Sequence, residues 1–193
     1  MHRNQAGSSW ISKAIVYSLS SAFAGLIVGA LLGIAGSFLS LSCRGAIGGV
    51  LAVLAVAAGS LEIFGRRIKP LQFDCPTPRH WMHKGPLRWA TRNGLALGFG
   101  ATSRIGFLLW YVVPLGALLS GSLSFGAAIY GTYGLVRGVA APLILLSMIW
   151  RKTDFCGWFL QQNKLMRVLA AGQLVLLGVA VVSWSVHRQG YLY

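Results

Sequence analysis

Asn93–Leu119, NGLALGFGATSRIGFLLWYVVPLGALL, runs for 27 residues with a single charged side chain, Arg104. Without that arginine it reads as a helix crossing a lipid bilayer, for which about 20 apolar residues suffice. A charge near mid-bilayer costs at least ~2.5–3.5 kcal/mol on insertion scales, so Arg104 is expected to be buried in protein, where such residues often carry function.

Four further apolar runs flank this one, at roughly 14–41, 45–64, 122–150 and 168–186. The chain has 193 residues, of which 55% are hydrophobic and 10% charged, with a mean hydropathy of +0.66. These values exclude an ordinary soluble domain. They predict an all-α integral membrane protein, a single polytopic domain over 1–193 built as a bundle of about five transmembrane helices. The start, MHRNQAGSSWISK, is polar and has no small-residue cleavage site, and the apolar run after it is too long for a signal-peptide core. It is expected to be retained as the first span.

The net charge is +14. The cations lie mostly between the apolar runs, which points to membrane topology rather than to nucleic acid. With loops alternating sides, 13 Lys and Arg fall on one side and two, Arg44 and Arg188, on the other, while Arg104 and Arg137 lie within spans. The positive-inside rule then predicts a cytoplasmic N-terminus and an exoplasmic C-terminus. The localisation expected is the bacterial inner membrane or an equivalent organelle membrane. Expected partners are the lipid bilayer, and other membrane subunits or a homo-oligomer.

Gly25, Gly29 and Gly33 recur every fourth residue in the first span, and Gly126, Gly134 and Gly138 share that spacing in the fourth, with Tyr130 filling the gap. Small residues four apart let membrane helices approach closely. The chain also repeats itself. Arg44, Gly49, Leu51, Leu54, Val56 and Ala57 match the spacing of Arg167, Gly172, Leu174, Leu177, Val179 and Ala180, and Gly29 and Gly33 match Gly134 and Gly138. The matched spans run in opposite directions, so a partial inverted repeat is expected, as in many transporters.

This order of features resembles the second to sixth helices of the cytochrome c biogenesis CcdA / DsbD transmembrane-domain family. GFGATSRIG, Gly98–Gly106, is similar to that family's glycine-rich segment ending in Thr-Pro-Cys-Ile-Gly. Thr102, Ile105 and Gly106 agree, Ser103 stands at the proline and Arg104 at the cysteine. Pro142 resembles a proline of the following helix. The resemblance implies a fold of two inverted halves and a thiol-disulfide electron-transfer activity. That activity needs two thiols that meet, and neither family cysteine is present here.

Arg104 lies twelve residues past Arg92, about 18 Å along a helix, and Arg137 fourteen before Arg151, about 21 Å. Both are placed near the midplane, with Glu62 as the only carboxylate inside a span. These three residues are the candidate substrate-binding site, where the excess positive charge invites an anion or a lipid headgroup. Structural roles, including pairing of Glu62 with Arg66, stay open beside that reading. In FDCPTPRHWMH, Phe73–His83, Cys75, His80 and His83 are weak metal-ligand candidates; the spacing matches no strong signature and an ordinary basic loop is the plainer reading. Cys43 reads as a small residue at a helix end. No catalytic constellation is visible, so neither an enzyme nor a cofactor is expected. The function expected is transporter-like, for a small anionic or polar solute. The alternatives are a non-catalytic assembly or structural subunit of a larger membrane complex, and a degenerate thiol-transfer protein.

Overall fold

A computed structural model of the chain describes residues 2–66, 68, 86–100, 108–151 and 163–190. Six α-helices account for most of them: α1 (His2–Ser37), α2 (Leu41–Ile63), α3 (Pro86–Gly98), α4 (Val112–Ser120), α5 (Leu123–Arg151) and α6 (Asn163–Gly190). A 3-10 turn, Leu108–Tyr111, leads into α4. No strand occurs among the described residues. Among the described residues four helical segments are long and apolar enough to cross a membrane: Trp10–Ser37, Leu41–Ile63, Leu123–Leu146 and Leu165–Ser183.

The expected third span is divided. Helix α3 stops at Gly98, and Gly100 follows with φ +74. That left-handed conformation costs glycine little and other residues much more. The chain is helical again from Leu108. The end of the first span also differs from expectation. Helix α1 stops at Ser37, and the Ser40 hydroxyl caps α2 by accepting from the Cys43 amide at 3.2 Å, the usual work of an N-cap serine.

The densest packing joins α1 to α5. The two run antiparallel, with Gly25 against the Tyr130 carbonyl, Gly29 against that of Gly126 and Gly33 against that of Ser122. The contact is reciprocal, because Gly126 also lies on the Gly29 carbonyl. Glycine is required here since each missing Cβ is replaced by backbone of the other helix. Helix α3 runs parallel to α1, with Gly94 on the Tyr17 carbonyl and Gly98 on that of Ser21.

Two buried serines bind α1 to α5. Ser21 Oγ donates to the Gly134 carbonyl at 2.8 Å. Ser18 Oγ lies 2.9 Å from both the Ala14 and the Gly138 carbonyl oxygens. A hydroxyl has one hydrogen, and Gly138 has the greater need of it. Four residues on stands Pro142, inside α5 and without an N–H, so the Gly138 carbonyl lacks its helical donor. We expect Ser18→Ala to destabilise the fold by about 1–1.7 kcal/mol, the upper range for hydrogen bonds between membrane helices. In a Pro142→Ala background, where the helical amide is restored, the same change is expected to be nearly neutral. A double-mutant cycle on denaturant unfolding in micelles measures the coupling.

Helices α2 and α6 form the second antiparallel pair, and they use one pattern twice. In Ala52, Val56 and Gly59 the spacing equals that of Ala171, Val175 and Gly178. A Cβ on Gly59 would stand 2.8 Å from the Ala171 oxygen and 2.7 Å from Val175 Cγ2; one on Gly178 would stand 2.8 Å from the Ala52 oxygen and 2.6 Å from Val56 Cγ2. The sequence match paired these helices one turn away from this register. Its Gly49 and Gly172 meet no described neighbour, and the contact falls on Gly59 and Gly178. A slip of four residues keeps nearly the same helix face forward, so periodicity supports either alignment.

Candidate functional site

The break after α3 and the serines of α1 lie at one level of the bundle. Gly98 packs on Ser21, and Gly134 and Gly138 of α5 pack on Ser21 and Ser18. Arg137 belongs to this layer. It is 14 residues from Leu123 and nine from Leu146, the ends of its apolar segment, hence about 21 Å and about 14 Å along the axis.

The Arg137 side chain is half-buried and lies against Tyr133. Its Nη1 donates to the Tyr133 hydroxyl at 2.8 Å, and its guanidinium carbon lies 5.7 Å from the centre of that ring. One contact neutralises part of the donor set and the other sets a cation against a π-face. Tyr133 packs edge-on against Tyr130 at 5.8 Å, and Tyr130 is 2% exposed. The hydroxyls of Tyr17 and Tyr130 lie within electrostatic reach of Arg137. Beside the Tyr133 hydroxyl sits the Trp110 indole N–H, buried and without a hydrogen bond of regular geometry among the described residues.

Gly100 closes the layer. A Cβ there would stand 3.1 Å from the Trp110 ring and 3.3 Å from the Tyr130 hydroxyl. The chain therefore leaves α3 through a gap between these two aromatic groups, in a conformation that glycine alone adopts freely. Four α1 and α5 side chains, Tyr17, Tyr130, Tyr133 and Arg137, thus gather where a neighbouring helix stops. Broken helices place backbone dipoles and polar side chains at ligand depth in membrane transporters.

No family model, curated protein or solved structure matches the chain. What this site can do is read from its own geometry.

Glu62 does not join Arg137. It lies at the end of α2, half-buried, and the charge it feels is that of Arg167 on α6. The α2–α6 register explains this, since Gly59 faces Ala171 and the next turn of each helix brings these two residues level. Glu62 is the only carboxylate among the described residues, so the described surroundings of Arg137 provide none. Arg104 lies outside the described residues, in the segment joining Gly100 to Leu108, as do Cys75, His80 and His83. Among the described residues no group of three or more His, Cys, Asp or Glu could hold a metal ion.

Sequence reasoning overlooked the aromatic lining. Tyr133 was open to it, being one turn before Arg137 on the same face. Tyr17 and Trp110 were not, because they arrive from other helices.

Proposed function

We propose that this chain is a small transporter-like membrane protein that handles a small anionic or polar solute, with Arg137 at the binding site. The observation that carries this reading is the guanidinium of Arg137, held deep in an apolar helix by the hydroxyl and ring of Tyr133 rather than by a described carboxylate. A cation kept there at a cost of a few kcal/mol is suited to an anion. The division of the third span at Gly98–Gly100 supports it, because discontinuous helices line midplane sites. Two antiparallel helix pairs with reciprocal glycine contacts favour an inverted arrangement of halves. The bias of 13 cations to two between sides supports a cytoplasmic N-terminus. On the sequence argument Arg104 is the second candidate ligand; Glu62 serves at the α2–α6 end.

The test is flux. Purified chain in liposomes is offered chloride, nitrate, sulfate and inorganic phosphate in turn, and at least one is expected to move faster than through protein-free vesicles. Baseline flux for all four overturns the reading. Tyr133→Phe removes the 2.8 Å partner of Arg137 and is expected to raise the KM for the transported anion about five- to tenfold, as the loss of a ~1–1.5 kcal/mol hydrogen bond does.

One observation favours the assembly-subunit alternative. Helix α2 buries only Ala52 and Gly59, while Val50, Val53, Leu54 and Leu61 are exposed, a face that lipid or a neighbouring subunit would cover. Thiol transfer has less support: it needs two thiols that meet, and Arg104 stands where the resemblance would place a cysteine.

A further inference from the structure

Helices α2, α4 and α6 leave a groove of about 320 Å³ between them. Its walls are apolar, with Leu51 and Ala55 from α2, Leu115 and Leu119 from α4, and Leu174 and Leu177 from α6. Glycines keep it open. Among the described residues nothing lies within 4 Å of where a Cβ on Gly116 would be, and only Leu119 Cδ1, at 3.7 Å, approaches that of Gly48. Along α2 the groove extends from Gly48 to Ala58, ten residues or about 15 Å. That is half of a ~30 Å hydrocarbon core, the depth of one leaflet. Water does not fill so apolar a space.

One turn beyond Gly48 stands Arg44. Its Nη1 donates to the Ser120 carbonyl at 3.2 Å, at the end of α4, and its guanidinium lies on Gly121, whose φ of +56 ends that helix. Its Nε is buried and has no hydrogen-bond partner among the described residues. A guanidinium whose one described hydrogen bond is to a backbone carbonyl therefore stands one helical turn from the end of a leaflet-deep apolar groove.

We propose that the groove binds an acyl chain of an anionic phospholipid whose phosphate engages Arg44. A second copy of this chain is a poor complement to Arg44, because the whole sequence has three carboxylates against 17 Lys and Arg. The site is separate from Arg137 and does not depend on the transport reading.

The experiment is native mass spectrometry of the full chain in detergent with equimolar phosphatidylglycerol and phosphatidylcholine. Wild-type protein is expected to retain phosphatidylglycerol about fivefold over phosphatidylcholine, as one basic residue at an anionic surface provides. Arg44→Gln should bring that ratio to about one, and Arg44→Lys should keep it. Gly116→Leu, which fills the groove, should lower retention of both lipids at least about fivefold. Gly45→Leu, which points into open space outside the groove, should leave both unchanged and so reports on folding. Equal retention of the two lipids by wild type overturns the proposal. So does an Arg44→Gln variant that keeps the preference, or a Gly116→Leu variant that keeps the lipid. A dimer that Gly116→Leu dissolves also overturns it, giving the groove to a second copy.

Discussion

Arg137→Gln lowers flux of the transported anion at least about tenfold, and the protein still inserts. The loss follows from removing a charged donor from a low-dielectric site, where a hydrogen bond to a charged group is worth about 1.5–3 kcal/mol. Insertion is expected to improve, because an arginine at the centre of a membrane helix opposes it by ~2.5–3.5 kcal/mol. Function and folding therefore move in opposite directions, which an unstable variant would not reproduce. Arg137→Lys retains charge but not the planar fork, so its flux should lie between wild type and glutamine. The measurement is initial flux per inserted protein in liposomes. Unchanged flux in Arg137→Gln removes the site from transport. If flux is absent in wild type and the glutamine variant loses co-purifying membrane proteins, Arg137 is an assembly contact.

Four helices were legible because their apolar runs are about as long as a bilayer needs or longer, and the glycine spacing identified the faces on which α1 and α5 meet. The break in the third span was present in the letters, at Gly98 and Gly100, yet glycines are common throughout this chain. Only the backbone shows that Gly100 takes φ +74 while others, such as Gly29, stay helical. Pairing across helices was the least legible level. Ser18 and Pro142 are explained by each other, but they are far apart in sequence and their relation depends on the α1–α5 register. Glu62 is the only carboxylate in a span, which made it a candidate site residue beside the arginines. The described charge that acts on it is set by which helix α2 packs on, and that helix brings Arg167. The one-turn displacement of the α2–α6 match has the same origin: periodicity identifies a face, and height along the face is decided by which glycines meet carbonyls.

Gly29→Leu should prevent recovery of folded protein, or lower its Tm by at least about 6 °C, the shift of a loss near 2 kcal/mol in a chain of this size. The new Cβ would fall on the Gly126 carbonyl oxygen and stand 2.7 Å from Tyr130 Cβ. A carbonyl in a helix cannot rotate away, so the helices must separate. Overpacking costs about 1–3 kcal/mol even where neighbours adjust. Here the separation would also loosen Gly25 and Gly33, which sit on other α5 carbonyls, and the Ser18 and Ser21 hydrogen bonds. Membrane helices associate through such close packing, with no hydrophobic drive to hold them once it is lost. Gly29→Ala adds the same Cβ without the larger side chain and should show most of the loss. Gly45→Leu meets open space and should stay within about 0.5 kcal/mol of wild type. Thermal unfolding in one detergent compares the three. A Gly29→Leu protein with wild-type Tm would mean that α1 and α5 do not meet at Gly29. Tyr130 and Tyr133 would then lose the backing that holds them against Arg137, so one melting curve tests both the crossing and the site built on it.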